Sequence, residues 1–162
     1  MTEEVLLFLM PLWFINTLLN IFHFIPILKK IDKPLDFDSK FIDHNRILGD
    51  STTLIGLPVA LSGGLAASLI INKTLIYGII LGASCYLGHA CGSFIKRRLN
   101  IPDGKYLPFV DHLNYVYFCG TLLLILDYIK PTIFLYALLL NSIAHPILCF
   151  LGYKVGLRKN MV

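Results

Sequence analysis

Residues 74–98 read TLIYGIILGASCYLGHACGSFIKRR, an apolar stretch that ends in three consecutive cations. No Asp, Glu, Lys or Arg precedes Lys96 in this stretch, and His89 lies within its apolar part. A helix of about 20 apolar residues is long enough to cross the hydrocarbon core of a bilayer, which is roughly 30 Å thick. The stretch therefore predicts a membrane-spanning helix with a histidine inside it and a basic cluster at one interface.

The composition of the whole chain also favours a membrane protein. Of the 162 residues, 56% are hydrophobic, and the mean hydropathy is +0.72, whereas soluble domains contain about 45–50% apolar residues. Five stretches are apolar and long enough to be spans, at 4–28, 53–71, 74–95, 113–129 and 132–152. Prolines within or beside them are tolerated when neighbouring groups satisfy the freed carbonyl. The sequence predicts an all-α integral membrane protein, a single membrane domain over residues 1–162 built as a bundle of five transmembrane helices.

The distribution of cations predicts how this bundle is oriented. If the N-terminus is outside, the outer side carries only Lys73 and Lys130, and the inner side carries the other twelve of the 14 Lys and Arg residues. The inner cations are Lys29, Lys30, Lys33, Lys40, Arg46, Lys96, Arg97, Arg98, Lys105, Lys154, Arg158 and Lys159. Cytoplasmic loops carry such an excess. We predict a multi-pass protein of the cell membrane with its N-terminus out and its C-terminus in.

This orientation leaves two cytoplasmic loops, 29–52 and 96–112, which we expect to form a polar site facing the cytoplasm. Because the cations lie beside apolar segments, lipid headgroups or a phosphorylated substrate are the expected partners, and no nucleic acid polymer is expected. The acidic N-terminus, with Glu3 and Glu4, and the length of the first stretch argue against a cleavable signal.

The cysteines and small residues suit close packing between helices. The four cysteines lie within apolar runs without a Cys-x-x-Cys pair, at Cys85, Cys91, Cys119 and Cys149. This spacing argues against a disulfide framework or a zinc site and favours core packing. Ser84, Gly88 and Gly92 recur at four-residue spacing, a pattern that lets helix backbones approach closely in lipid. The connections near 72–73 and 129–131 are short. Each therefore predicts that the two helices it joins are antiparallel neighbours.

One face of the predicted helix at 74–95 is polar. His89 and Ser93 are four residues apart, and Lys96 or Arg97 follows on the same side. Such a face is expected to point into the bundle or a water-filled cavity. A buried, hydrogen-bonded structural histidine explains His89 equally well. The cluster from Lys96 to Arg98 suits either anchoring at the headgroup level or phosphate binding.

The two predicted loops combine carboxylates with cations. The first carries Asp36, Asp38, Asp43 and Asp50 around Lys40 and Arg46. In the second, Asp111 and Asn114 are three residues apart and share a helix face. Asp50 also suits the N-cap of the second span, and Asp111 suits a helix N-terminus without any further role. Together the loops favour a divalent metal with phosphates, because hard oxygens hold Mg²⁺ and cations neutralise phosphoryl charge.

Three histidines fall within the predicted spans, at positions 23, 89 and 145. A haem or transition-metal site is therefore an alternative interpretation. The spacing of His23, His89 and His145 alone brings no two of them together, and no partner motif accompanies them.

Five stretches in order along the chain carry a resemblance to a known family: PLDF (34–37), NRILGDSTTLIG (45–56), LGHACGSFIKRRLNIPDG (87–104), LPFVDHLNYV (107–116) and YKVGLR (153–158). They resemble the CDP-archaeol synthase family, small five-span membrane cytidylyltransferases distantly related to CDP-diacylglycerol synthases. The resemblance implies transfer of CMP from CTP to an isoprenoid-ether glycerol phosphate lipid, with release of pyrophosphate, in phospholipid biosynthesis. It implies CTP, the lipid and the bilayer as partners and Mg²⁺ as cofactor, with Mn²⁺ or another divalent ion as the alternative.

The resemblance also implies roles for individual residues. The catalytic group would be Asp111, Asp50 and Lys96. The residues that would bind CTP or the lipid phosphate are Arg46, Thr53, Ser93, Lys96, Arg97 and Arg98. Asp111 and Asp50 would ligate the metal, with His89 and Asn114 as further candidate ligands, and His145 matches a family position in the last span.

The chain departs from the family pattern at several of these positions. The family usually has aspartate where His89 and Asn114 stand and lysine where Thr52 stands, and an asparagine of its first span falls in the region of Asn20 or His23. Imidazole is a poor ligand for Mg²⁺ and suits Zn²⁺, Mn²⁺ or Fe²⁺ better. Two alternatives follow. One is a catalytically impaired member that binds lipid phosphate or nucleotide, and the other is a small membrane transporter or structural protein with a metal site.

Overall fold

A computed structural model describes residues 2–22, 25–103, 105, 107 and 109–156. The helices within this part are α1 (Thr2–Ile21), α2 (Pro26–Ile31), α3 (Gly56–Ile70), α4 (Leu75–Arg98), α5 (Val110–Ile125) and α6 (Pro131–Lys154). Two isolated antiparallel bridges, but no strand, occur among the described residues. The prediction of an all-helical protein is confirmed. His23, Arg158 and Lys159, which the sequence predictions also named, lie outside the described residues.

The first predicted span, 4–28, is not one continuous helix. Helix α1 ends at Ile21, and a separate six-residue helix, α2, begins at Pro26. Proline has no N–H to donate, and its ring clashes with the carbonyl four residues earlier, so it is favoured at the first position of a helix. Pro26 therefore starts α2, although Pro11 is accommodated inside α1.

The other predicted spans each coincide with one helix. Helices α1, α4 and α6 are long and apolar enough to cross a bilayer, whereas α3 and α5 are shorter apolar helices of 15 and 16 residues. At a rise of 1.5 Å per residue, α3 and α5 extend about 22–24 Å, which is less than the roughly 30 Å of the hydrocarbon core. The long apolar helices agree with a membrane protein.

Helix α4 packs against α3 on one side and α5 on the other. A Cβ at Gly64 would overlap the carbonyl oxygen of Gly78 and lie 2.8 Å from the backbone nitrogen of Gly82. A Cβ at Gly88 would lie 2.6 Å from the Cα of Tyr115. The small residues therefore mark close helix contacts, as the sequence predicts. Contacts between α3 and α4 and between α5 and α6 also agree with the antiparallel pairs expected from short connections.

The core of the bundle lies between α1, α4 and α5. It contains the buried side chains of Phe8, Leu9, Leu12, Ile15, Leu81, Cys85, Val116, Cys119 and Leu123. All four cysteines are free thiols, which agrees with the prediction from their spacing that they form no disulfide framework. Cys85 and Cys119 pack in this core, while Cys149 Sγ lies 3.3 Å from His145 Nδ1.

Both polar connections differ in their bounds from the predicted loops. The first extends from 32 to 55, so Ile55 is the N-cap of α3 and Asp50 is not. The second extends from 99 to 109, because α4 continues through Arg98 and α5 begins at Val110. The two connections meet at one end of the bundle, where the Asn45 side chain donates a hydrogen bond to Asn100 Oδ1 at 3.3 Å.

Candidate active site

At this end of the bundle, Lys96 on α4 forms an ion pair with Asp111 on α5. Lys96 Nζ lies 2.9 Å from Oδ1 and 3.1 Å from Oδ2 of Asp111, and it also donates to the carbonyl oxygen of Lys105 at 3.1 Å. The backbone N–H of Leu107 donates to Asp111 Oδ2 at 2.8 Å. Two predicted catalytic residues are thus adjacent, and both side chains are largely shielded from solvent.

Arg97 points to the 99–109 connection. Its Nη2 lies 3.5 Å from Asp103 Oδ1, and the Ser51 backbone N–H and hydroxyl donate to the same carboxylate at 3.1 and 3.0 Å. Arg97 Nε and Nη2 are both buried, and Nε has no hydrogen-bond acceptor among the described residues. Asp103 therefore joins the two connections, and Arg97 retains a donor that an added anion can use.

Arg98 holds the 32–55 connection against α4. Its Nε lies 2.7 Å from Asp43 Oδ2, and its Nη2 donates to the carbonyl oxygen of Arg46. The guanidinium also lies over the rings of Phe41 and Phe94, 5.1 and 4.5 Å from their centroids. These contacts and the low exposure of all three cations favour a built polar site over simple anchoring at lipid headgroups.

Arg46 forms ion pairs with three carboxylates of the 32–55 connection. It forms ion pairs with Asp36 at 2.8 Å, Asp38 at 3.1 Å and Asp50 at 2.6 Å. Burial of Asp36 disfavours its charge, but the hydrogen bonds from Arg46 and from the Leu48 N–H outweigh burial and lower the pKa of Asp36. Hydrogen bonds to Asp36 and then to Asp50 raise the pKa of Arg46, so its guanidinium stays charged.

The predicted metal ligands do not form one cluster. Asp111 is engaged by Lys96, whereas Asp50 is engaged by Arg46 and its side chain is 73% exposed. Within the described part of the chain, no group of three or more close His, Cys, Asp or Glu ligands contains either aspartate. His89 instead stacks on Tyr115, with ring centroids 6.0 Å apart.

Two further predicted residues are engaged by neighbouring groups. The buried hydroxyl of Ser93 accepts a hydrogen bond from Thr52 Oγ1 at 2.8 Å, so the polar face of α4 does point inward. Thr53 Oγ1 accepts from the N–H of Gly56 at 3.3 Å, at the start of α3. The amide of Asn114 faces Gly92 across the contact between α4 and α5.

A buried polar network in the bundle was missed by the sequence analysis. His145 Nδ1 lies 2.6 Å from His112 Nδ1 and 3.3 Å from Cys149 Sγ. On the opposite side of the ring, His145 Nε2 lies 3.2 Å from Asn16 Nδ2. The structure thus places His145 beside His112, and among the described residues of α1 Asn16 contacts its ring.

Asn141 completes this network. Its Oδ1 accepts from Trp13 Nε1 at 2.7 Å and from the Tyr115 hydroxyl at 3.1 Å, and its Nδ2 donates to the His112 carbonyl at 2.6 Å. The four-residue spacing of His145 and Cys149 was a local signal that they share a helix face. No local signal joins His112 or Asn16 to them, because these contacts bridge separate helices.

Comparison with known proteins places the chain in a family. A sequence model described as CarS-like, CDP-archaeol synthase, matches residues 4–161. The chain belongs to the CDP-archaeol synthase family. The family prediction is therefore confirmed, and with it the enzyme class, CTP-dependent nucleotidyl transfer in lipid biosynthesis.

Individual family members are moderately similar to this chain. CDP-archaeol synthase of Sulfolobus acidocaldarius is 33% identical over 115 residues, which are 63% of this chain and 71% of that protein. The Saccharolobus solfataricus protein of the same name is 39% identical over 89 residues, 51% of this chain and 53% of that protein. The match to the Pyrobaculum calidifontis protein is 28% identical over 131 residues, 78% of this chain and 79% of that protein.

A solved structure of an intramembrane enzyme for archaeal membrane lipid biosynthesis has the same fold. It superimposes with a TM-score of 0.69 at 23% identity and covers 88% of this chain and 90% of that one. The likeness agrees with an intramembrane fold for this family member.

Proposed function

We propose that this chain transfers CMP from CTP to an isoprenoid-ether glycerol phosphate lipid and releases pyrophosphate, with its active site where the 32–55 and 99–109 connections meet. Family membership supports the reaction class. The observation that carries the location is Arg97, whose buried Nε has no hydrogen-bond acceptor among the described residues, while Lys96 and Asp111 pair beside it.

The reaction requires neutralisation of phosphate charge and does not require an unusually reactive side chain. An oxygen of the lipid phosphate forms a bond to the α-phosphorus of CTP. The bond from that phosphorus to the oxygen bridging to the β-phosphate breaks, and pyrophosphate leaves with the electron pair. The attacking phosphate is already ionised, so no general base is required. Lys96 and Arg97 orient the phosphates and stabilise the charge that develops on them.

Asp111 is the carboxylate that fits a divalent ion. Mg²⁺ is commonly held by one or two carboxylates together with substrate phosphates. Asp111 lies at the start of α5, and the amide oxygen of Asn114 is one turn further along. We assign Mg²⁺, or Mn²⁺ in its place, to Asp111 and not to Asn114, because the Asn114 Oδ1 already accepts a hydrogen bond from the Tyr115 N–H at 2.6 Å. When bound, the ion would supply charge neutralisation to the phosphates.

Asp50 and Arg46 take a different role in this proposal. Their ion pair at 2.6 Å positions the 32–55 connection, which we assign to the nucleotide. Ser93 and Arg98 hold the same connection from α4 through Thr52 and Asp43. These residues therefore act mainly by positioning the nucleotide loop.

The proposal includes five membrane crossings, by α1, α3, α4, α5 and α6, with the N-terminus out. Both polar connections then lie on the cytoplasmic side, where CTP is available. The two short helices would cross with help from flanking residues or local thinning of the bilayer. This arrangement gives one site access to a soluble nucleotide and to a lipid.

Pyrophosphate release tests the function. Purified protein with CTP, Mg²⁺ and an isoprenoid-ether glycerol phosphate is expected to release pyrophosphate, and Asp111→Asn is expected to lower kcat at least about 100-fold, the loss typical of removing one transition-state stabilising group. Asp127→Asn is the matched control. Asp127 is exposed and has a φ of 58°, a conformation that asparagine adopts readily. Equal activity of the two variants would contradict the assignment of Asp111.

A second candidate is binding without turnover, which His89 and Asn114 favour because neither supplies a carboxylate. In that case the protein would bind CTP, with no pyrophosphate released from diether or diacyl glycerol phosphates under Mg²⁺ or Mn²⁺. The double variant His89→Asp/Asn114→Asp would then gain activity. Turnover by the unmodified protein would reject this candidate.

A further inference from the structure

Three metal-ligating side chains meet inside the helix bundle, apart from the Lys96–Asp111 pair. His112, His145 and Cys149 each offer one ligand atom, all within 4.8 Å of one another, and all three residues are buried. We propose that they bind a transition-metal ion of borderline or soft character, with Zn²⁺ as the best-suited ion. Its ligands do not include Asp111, to which Mg²⁺ is assigned above.

The donor set selects the class of ion. Two imidazoles and one thiolate favour Zn²⁺ and similar transition ions, whereas Mg²⁺ takes hard oxygen ligands. In a buried site, the negative thiolate offsets part of the charge of the ion, which an apolar interior would otherwise disfavour. The three side chains thus match Zn²⁺ in both ligand type and charge.

The geometry centres on His145. Its Nδ1 lies 2.6 Å from His112 Nδ1 and 3.3 Å from Cys149 Sγ, and the same sulfur lies 3.9 Å from His145 Nε2. Tetrahedral Zn²⁺ has Zn–N distances of about 2.0–2.1 Å, which separate two nitrogen ligands by about 3.4 Å. The two rings would therefore move apart by less than about 1 Å, which a small rotation of either side chain provides.

Surrounding groups orient these ligands. His145 Nε2 lies 3.2 Å from Nδ2 of the Asn16 side chain. Asn16 therefore holds the His145 ring from the side of Nε2, while Nδ1 lies beside His112. Asn141 holds the backbone of His112 through a 2.6 Å hydrogen bond. Contacts from surrounding residues that fix the orientation of the ligands are typical of metal sites in proteins.

Cobalt binding tests the proposal directly. Protein with its affinity tag removed and its metals stripped is titrated with Co²⁺ alone. The expected result is one tightly bound Co²⁺ per chain, with the absorption band of thiolate-to-cobalt charge transfer, and displacement of Co²⁺ by Zn²⁺. Cys149→Ser should lose this band, and the matched variant Cys119→Ser, at another buried cysteine, should keep it. Oxygen ligands at Asp111 cannot produce a thiolate band.

Thermal stability provides the second measurement. Zn²⁺ should raise the Tm of the unmodified protein and of Cys119→Ser, and leave that of Cys149→Ser and His112→Gln unchanged. Asn16→Ala should keep the thiolate-to-cobalt band but weaken Co²⁺ binding roughly 10–100-fold. If the ligand variants do not fold, the Co²⁺ affinity of Asn16→Ala tests the proposal in their place. Absence of the band from the unmodified protein, or its persistence in Cys149→Ser, would overturn the proposal. Neither measurement depends on CTP turnover.

Discussion

Lys96, Arg97 and Arg98 are consecutive in sequence, yet each side chain reaches a different part of the molecule. An α-helix turns by about 100° per residue, so neighbouring side chains leave it in different directions. Lys96 pairs with α5 through Asp111, Arg97 faces the 99–109 connection, and Arg98 contacts the 32–55 connection. One short basic run thereby joins the three segments that surround the proposed active site.

Replacement of Arg97 should mainly affect catalysis. Because its buried Nε has no hydrogen-bond acceptor among the described residues, we expect phosphate to be its partner. Arg97→Met is expected to lower kcat/KM for CTP about 100-fold, the loss typical of removing one oriented donor from a phosphoryl-transfer site, and Arg97→Lys should recover part of it. Steady-state kinetics test this, with Lys130→Met at the opposite end of the bundle as control. Unchanged kcat/KM in Arg97→Met would contradict a phosphate role.

Replacement of Asp36 should mainly affect stability. Its buried carboxylate accepts from Arg46 and from the Leu48 N–H, so Asp36→Asn should destabilise the protein by about 1–3 kcal/mol at neutral pH. Asp38→Asn is the control, because the Asp38 side chain is 75% exposed. Thermal unfolding in detergent measures both variants, and a larger effect of Asp38→Asn would reject this account.

The same residue predicts a pH dependence. The folded pKa of Asp36 is lowered, so its contribution to stability is fully present above the unfolded value of about 3.9 and is lost as the pH falls through the folded pKa. The difference in Tm between the unmodified protein and Asp36→Asn should therefore shrink as the pH falls below about 4. A difference that stays constant down to pH 2 would show that Asp36 acts through shape alone.

At the scale of elements, α4 organises the bundle because its small residues admit neighbours on two sides. Gly78 and Gly82 meet α3, whereas Gly88 and Gly92 meet α5. The spacing of four residues on each side keeps the small residues in rows along the helix. The sequence showed these rows, but which row faces which helix depends on contacts between elements.

Adjacent glycines on α3 allow a matched test of this packing. A methyl group at Gly64 would overlap the backbone of α4. One at Gly63 would crowd the flexible end of the Leu18 side chain and lie at ordinary van der Waals distance from Ile15. Gly64→Ala is expected to destabilise the protein by about 1–3 kcal/mol, the usual cost of forced overpacking, and Gly63→Ala by less. Unfolding in detergent compares the two, and equal effects would contradict close contact between α3 and α4.

The break between α1 and α2 shows where the prediction of continuous helices from hydropathy fails. Residues 4–28 are apolar throughout most of their length, so composition predicted one span, but Pro26 starts a new helix. Hydropathy records how readily a side chain leaves water, and it carries no information on backbone hydrogen bonds that proline prevents.

At the scale of the whole molecule, the two polar connections lie at the same end of the bundle. Ser51 donates to Asp103 across 52 positions of sequence. This common end agrees with the charge asymmetry that predicted both loops on one side of the membrane.

Labelling of introduced cysteines tests the proposed orientation. In intact cells, Lys73→Cys should react with a membrane-impermeant maleimide, while Lys40→Cys should react only after the membrane is opened. Both positions are exposed, so accessibility depends on the side of the membrane. The background variant Cys91→Ser removes the native thiol that is not fully buried. The reverse pattern would show that the N-terminus faces the cytoplasm.

The sequence by itself determined the helical membrane class and the family. Apolar stretches of sufficient length report locally on helices in a bilayer, and the ordered motifs from 34 to 158 were distinctive enough to indicate the family. It also identified Lys96 and Asp111 as a basic and an acidic group at the polar end. These properties depend on residue type and on spacing along one element, which a sequence displays directly.

Only the tertiary structure decided how the polar groups combine. It separated Asp50 from Asp111 by placing each in its own ion pair, and it brought His112 of α5 to His145 and Cys149 of α6. The physical reason is that ion pairs and ligand clusters form between side chains a few ångströms apart. Which side chains reach that distance depends on how several helices pack, and no spacing within a single helix records it.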